Sequence, residues 1–229
     1  MYAPEVLQPV VDFLAGLAPG GRALEFAIGT GRVALPLSAR GLAVSGIDSS
    51  EPMVGVLRGK PGSRGIEVVI GDMATVAVPG VFDLVYVVYN AITCLLTQAE
   101  QVACFRNAAR HLRPGGHFVV EVWVPDLQRL PPGETAQPSY VGEDRIIFDT
   151  YDLARQHVVS HHYWIEDGSA DVFHSPHRFV WPSELDLMGQ LAGLDLLDRW
   201  ADWKRSAFTA QSRSHVSVWG KPSPVSHRV

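Results

Sequence analysis

Between residues 22 and 124 the chain alternates short apolar runs with helix-like stretches, and this alternation limits the folds open to it more than any other feature. The apolar runs fall at residues 22–28, 42–48, 65–72, 82–90 and 117–124. Helical spacing or helix punctuation occupies residues 31–39, 50–58 and 97–116 between them, and a further amphipathic stretch at 4–17 precedes the first run. The first, fourth and fifth runs are apolar almost throughout, as strands are when a parallel sheet is covered on both faces. The spacing predicts a doubly wound α/β unit of Rossmann-like type. Ser49 or Ser50 is the expected N-cap of the helix at 50–58, with Pro52 in its first turn.

After residue 124 the pattern changes. Residues 125–142 read as loop, with prolines at 125, 131, 132 and 138. Residues 143–181 carry short β-like runs, with Glu166–Ser169 as a turn, and predict an antiparallel insertion. Residues 181–194 return to helix with Ser183 as the expected N-cap, and 195–202 and 214–220 read as closing strands. The expected division is therefore a cofactor-binding α/β core over 1–124, an antiparallel β cap over 125–181, the rest of the core over 182–220, and a tail over 221–229.

Ligands of open α/β sheets sit beyond the carboxyl ends of the strands. The first strand ends in Glu25-Phe-Ala-Ile-Gly29-Thr-Gly31, the second in Asp48, and the third in Gly71-Asp72-Met73. Glycines there let the backbone turn tightly beside a ligand, although glycines that follow a strand also serve as plain turn residues. Acids at the ends of three successive strands favour a nucleoside: Asp48 for ribose hydroxyls, Asp72 for an adenine amino group, and Met73 for an apolar wall. Glu25, Ala27, Gly29, Gly31, Met53 and Tyr89 complete the expected cofactor set. The position of the third glycine in a dinucleotide motif is Ala34, and a carboxylate aimed at the loop repels pyrophosphate. It suits a cationic ligand without phosphate, such as S-adenosyl-L-methionine, which carries an ammonium and a sulfonium.

These residues resemble the motifs of class I S-adenosylmethionine-dependent methyltransferases. Residues 25–31 are similar to the first motif, Asp48 to the ribose-binding acid and 71–73 to the adenine motif. Residues 82–96 and 111–125 resemble the fourth-strand, helix and fifth-strand signature. The insertion after the fifth strand is similar to that of small-molecule enzymes such as amino-sugar N-methyltransferases. The resemblance implies a seven-stranded sheet whose last strand is antiparallel, a substrate cap over the strand ends, and methyl transfer to N or O of a small molecule. Related enzymes often place an aromatic residue from a longer N-terminal segment over the cofactor. Tyr2 is the residue this chain offers for that role. Two alternatives stay open at this point: a non-catalytic nucleoside-binding protein on the same fold, and a nucleotide-dependent oxidoreductase.

Asn90, at the end of the fourth strand, is a candidate for positioning the acceptor, and no N-P-P-Y-type sequence of base methylation is present. Five of the nine histidines lie in the insertion: His157, His161, His162, His174 and His177. His161 and His162 are the candidates for a general base, on opposite faces of one strand. Structural hydrogen bonding is the competing reading of each. Arg178 and Arg205 are candidates for an anionic acceptor group or for solvated surface. Tyr151, Tyr163, Trp164 and Trp181 line either an acceptor pocket or a β core. Cys94 and Cys104 read as small buried hydrophobes, and no metal is expected. The net charge of −5 and the lack of a Lys/Arg-rich run argue against a nucleic-acid partner. No apolar segment approaches the length of a bilayer span, and no basic leader precedes an apolar core. A cytoplasmic location is therefore the default expectation, and a homodimer is left open.

Overall fold

The computed structural model describes residues 4–166 and 169–223. Helix α1 spans Pro4–Leu17, β1 Arg22–Phe26, α2 Ala34–Ala39, β2 Ala43–Asp48, α3 Glu51–Arg58, β3 Glu67–Ile70, β4 Phe82–Val87, α4 Gln98–His111 and β5 Leu112–Trp123. A second group follows: β6 Ala136–Val141, β7 Arg145–Asp152, β8 His157–Glu166 and β9 Ser169–Arg178. The chain then returns through α5 Pro182–Leu191, β10 Asp195–Trp200 and β11 Ser214–Gly220.

Seven strands form one sheet in the order β10-β11-β5-β4-β1-β2-β3. Strands β1 to β5 are parallel. β11 runs antiparallel to β5, and β10 antiparallel to β11. Side chains alternate across the central strands, so each strand feeds two cores. Leu24, Phe26, Val85, Phe118 and Trp219 pack on the side of α4 and α5, and Ala23, Leu84, Tyr86, Val119 and Val218 on the side of α1 and α2. This double covering explains the unbroken apolar runs in the sequence.

Local chemistry sets the helix ends. Ser50 caps α3 by accepting from the Met53 N–H. Thr97 and Glu100 close a capping box on α4. The expected extension of α4 to residue 116 does not occur. Pro114 cannot continue a helix and disfavours α backbone at Arg113, so Leu112 already pairs with Phe82 in β5. Ser183 is not the cap of α5: that helix starts at Pro182, behind Trp181, without a side-chain cap.

The antiparallel sheet has the order β6-β7-β8-β9. β6 lies in the stretch expected to be loop. Its proline, Pro138, is tolerated because β6 is an edge strand, and its weak burial leaves no alternation to read. Glu166 pairs with Ser169 at the end of the β8–β9 ladder, and residues 167 and 168 of the expected turn lie outside the described residues. So do Tyr2 and residues 224–229 of the expected tail. Lys221 is tied down, its Nζ donating to the carbonyls of Ala109 and Leu112.

The two sheets are joined by buried polar contacts. Arg178, only 4% exposed, pairs with Glu184 at 2.7 Å and donates to Gln101 and Gln156. Gln101 in turn donates to the Ile92, Leu95 and Arg178 carbonyls. Arg178 is therefore a structural group rather than an anion holder. Arg205 stacks over Phe13 on the other side of the molecule.

Candidate active site

Loop geometry at the carboxyl ends of β1, β2 and β3 builds a cleft of about 490 Å³. After β1 the backbone turns left-handed at Ala27, Gly29 and Gly31, with φ of 56°, 55° and 75°. For Ala27 this conformation is unfavourable by about 1–2 kcal/mol, so surrounding contacts must impose it. Asp48 supplies one of them: Oδ2 accepts the Gly29 N–H at 2.6 Å and Oδ1 the Ser50 N–H at 2.7 Å. A single carboxylate thus fixes both the glycine loop and the start of α3. After β3, Asp72 accepts the Ala74 N–H, and Asn107 on α4 donates to the carbonyls of Met73 and Val76. Asn107 was not legible as part of this loop, because its partners are backbone groups more than thirty residues away.

Glu25 is buried against Tyr86, whose hydroxyl donates to Oε2 at 2.9 Å. Burial pushes the Glu25 carboxyl up to about 8, with Tyr86 and the Ala34 N–H acting in the opposite direction. A cation placed beside it favours the ionised form.

The cleft brings together Glu25, Ala27, Gly29 and Asp48 with Met53, Asp72, Met73 and Tyr89. Gly31 is not in its lining. A Cβ there would meet Leu57 Cδ1 at 2.3 Å, so that glycine lets α3 pack close to the loop. Cys94 departs from its expected burial: it is exposed and lines the cleft, while Cys104 is buried. Arg32, another lining residue, places its guanidinium 4.4 Å from the Tyr89 ring centroid.

A second cleft of about 400 Å³ adjoins the first and shares Tyr89 with it. Its floor is the turn after β4, where Tyr89 and Asn90 are both left-handed, with φ of 52° and 62°. Glu121 on β5 holds this turn, accepting the Tyr89 N–H at 2.6 Å on its side chain and the Asn90 N–H on its backbone. Burial raises the Glu121 carboxyl above its ordinary value. The Asn90 side-chain carbonyl accepts the Trp123 N–H at 2.8 Å. Asn90 thus lines the cleft with its carbonyl oxygen committed to the fold.

The opposite wall is the antiparallel sheet, through Tyr151, Asp149, Ser160 and His177. His161 and His162 do not line either cleft. His161 is on the far face of β8, bonded to Thr150 and to His174. His162 lies on the near face but beyond Ser160, where Arg145 donates to it. His177 is the histidine placed in the cleft, as one member of β9 pairing with Val158. Strand alternation separated the faces of β8, but the sequence offered no register for β9 against the core.

Among the described residues, no group of three or more His, Cys, Asp or Glu side chains is placed to hold a metal ion. No described helix is long and apolar enough to cross a membrane.

Residues 23–116 match the family model of a methyltransferase domain. The cypemycin N-terminal methyltransferase of a Streptomyces species is 28% identical over 204 residues, 87% of this chain and 82% of that protein. The CcbJ methyltransferase of Streptomyces caelestis is 36% identical, with a TM-score of 0.87 over 96% of this chain and 91% of its own. The fold also matches CalS10 of Micromonospora echinaspora, an amino pentose methyltransferase solved with S-adenosylmethionine bound, at 23% identity and a TM-score of 0.73 over 95% and 90% of the two chains. With cleft, loops and sheet order in agreement, this chain belongs to the class I S-adenosylmethionine-dependent methyltransferases.

Proposed function

We propose that the enzyme methylates a nitrogen atom of a small-molecule amine held in the second cleft. The observation that carries this reading is that the two clefts meet at Tyr89, so donor and acceptor spaces share one wall at the end of β4.

The first cleft fits S-adenosylmethionine in its donor chemistry. Carboxylates line it, and a Cβ on Gly29 would crowd Met53 Cε at 3.0 Å and narrow it. In this reading Asp48 holds the ribose hydroxyls, Asp72 and Met73 hold the adenine, and Glu25 faces the cationic methionine end beside Ala27, Gly29 and Tyr89. Met53 forms an apolar wall, and Gly31 acts through α3. The cofactor supplies a methyl group already activated on a sulfonium. The protein's own contribution is therefore alignment and exclusion of water, with the acceptor nitrogen in line behind the methyl carbon.

The acceptor wall supports an amine. Two acids and two arginines line the second cleft. Arg129 and Arg213 both pair with Asp126, and the Asp149 carboxylate beside Ser160 favours an ammonium over a neutral hydroxyl. Two relatives point the same way, since the names of the cypemycin enzyme and of CalS10 describe an N-terminus and an amino pentose. Residues 125–181 act in this reading as the acceptor-binding cap. Cytoplasmic residence and pairing of two copies complete it. Exposed Trp164 and Phe173, diagonal neighbours on one face of β8 and β9, offer apolar surface for such pairing, and a monomer in sedimentation equilibrium would remove it.

The test is a panel of amino sugars, benzylamines, phenols and carboxylic acids, incubated with S-adenosylmethionine and read by mass spectrometry. Methylated amines are expected. Methyl groups found only on oxygen overturn the nitrogen reading.

A further inference from the structure

His177 sits in a hydrogen-bond chain that fixes which of its ring nitrogens carries the proton. Its Nδ1 lies 2.9 Å from Thr93 Oγ1, and its Nε2 lies 2.8 Å from Ser175 Oγ. Thr93 is fully buried, and its hydroxyl donates to the Asn90 carbonyl at 2.7 Å. A hydroxyl has one proton, and a carbonyl only accepts. Thr93 Oγ1 must therefore accept from His177, which puts the ring proton on Nδ1. Nε2 is left with its lone pair, and the Ser175 hydroxyl donates to it. Ser175 is paired across the ladder with Ser160, whose hydroxyl donates to Asp149 Oδ1 at 2.6 Å. The hydrogen-bond chain runs from Asn90, on the floor of the acceptor cleft, to Ser175, and the Ser160–Asp149 pair stands beside its end.

We propose that His177 is the general base of the reaction, taking a proton from the acceptor heteroatom on Nε2 while Asp149 holds the acceptor's charge. The proposal rests on the reading of the second cleft as the acceptor site. An amine enters at neutral pH as an ammonium with no lone pair to attack. The Ser175 hydroxyl rotates off Nε2 to free its lone pair. One N–H bond of the ammonium breaks, its electron pair stays on nitrogen, and the proton forms an Nε2–H bond on a ring that becomes imidazolium. Ser175 Oγ then accepts from this new N–H. After the acceptor nitrogen bonds the methyl carbon, the carbon–sulfur bond pair remains on sulfur, the methylated amine is again cationic, and the imidazolium proton leaves to solvent. The balance is one proton released per methyl transferred.

The surroundings keep the ring ready for this step. Burial lowers the basicity of His177 below the ordinary histidine value, the Asp149 carboxylate acts in the opposite direction, and His162 reinforces the lowering. Groups facing it from the core, Thr93 and Asn90, are uncharged, and Asp126, Arg129, Tyr151 and Arg213 line the same cleft. The ring is therefore neutral at neutral pH, with Thr93 selecting its tautomer.

Two readouts test the proposal. Long-range nitrogen–proton NMR of the free protein is expected to show His177 neutral with the proton on Nδ1; a neutral ring protonated on Nε2 overturns it. In kinetics, H177Q is expected to lower kcat by about 100-fold or more while S-adenosylhomocysteine binds as in the parent. In that variant the acid limb set by the imidazole is replaced by a rate that rises about tenfold per pH unit up to the pKa of the free amine. S175A, which keeps the base but removes the hydroxyl that partners Nε2 at rest and in the imidazolium, is expected to lower kcat while retaining the parental acid limb. A variant H177Q that keeps the parental rate and acid limb overturns the assignment. Should the parent methylate hydroxyl compounds alone, the nitrogen reading falls, and the same comparison of parent with H177Q still decides whether His177 is the base.

Discussion

Glu25 and Tyr86 stand in register on the parallel strands β1 and β4, and the Tyr86 hydroxyl is hydrogen-bonded to the Glu25 carboxyl with both side chains buried. Burial holds the carboxyl at about 8, far above its range in an unfolded chain. The folded protein therefore binds this proton more tightly than the unfolded one. That contribution to stability is complete below the ordinary carboxylate range and is lost as the pH rises through about 8. Thermal unfolding of the ligand-free protein is expected to show Tm falling across this window, and E25Q to flatten that slope. A parent whose Tm stays level over the window contradicts a neutral Glu25.

Asp48 ties two loops with one side chain, through bonds of 2.6 and 2.7 Å to the Gly29 and Ser50 N–H groups. Asp48→Ala is expected to weaken S-adenosylhomocysteine binding by about 1–3 kcal/mol, from lost ribose contacts and a loosened loop together. Calorimetric titration measures it. An unchanged Kd removes Asp48 from the cofactor site.

The two motif glycines are expected to fail differently. A Cβ at Gly31 meets Leu57 at 2.3 Å on a left-handed backbone, so Gly31→Ala is expected to destabilise the fold by about 1–3 kcal/mol, with Leu57→Ala partly relieving it. At Gly29 the nearest atom is the mobile end of Met53, at 3.0 Å. Gly29→Ala is expected to reduce cofactor affinity more than stability. Denaturation and titration of both variants separate the two effects, and equal losses of stability would refute the division of labour.

Arg178 holds the antiparallel sheet to the core through Glu184, Gln101 and Gln156. Arg178→Ala leaves a carboxylate and two amides without their partner in a buried setting, and is expected to cost about 3–5 kcal/mol in chemical denaturation. Replacing the pair by Met and Leu together is expected to recover much of the loss. A single variant as stable as the parent would show that the ion pair does not anchor the junction.

Strand and helix order was readable because β1, β4 and β5 are covered on both faces and so carry unbroken apolar runs. The cleft was legible for a related reason: Glu25, Asp48 and Asp72 end successive strands, and parallel topology brings such ends together. Gly31 shows the limit of that logic, since a tight turn and a close helix leave the same residue in the sequence. β6 escaped notice because an exposed edge strand has no buried face to impose a period. The histidines of the cap were visible as a cluster, yet which one enters the cleft depends on where β9 crosses Thr93, a contact 84 residues apart in the chain. Long-range register of that kind has no local signal.

The short 3-10 turn Ala91–Cys94 faces both chambers: Ala91 and Cys94 border the first cleft, and Thr93 bonds the antiparallel sheet through His177. One partition thus serves two rooms. A shift of β9 would therefore disturb the first cleft as well as the second, whereas β6 and β7 contribute no residue to the lining of the first. In the proposed reading, β6 and β7 are where substitutions alter the acceptor space without touching the first cleft, and Thr93 is where they reach it.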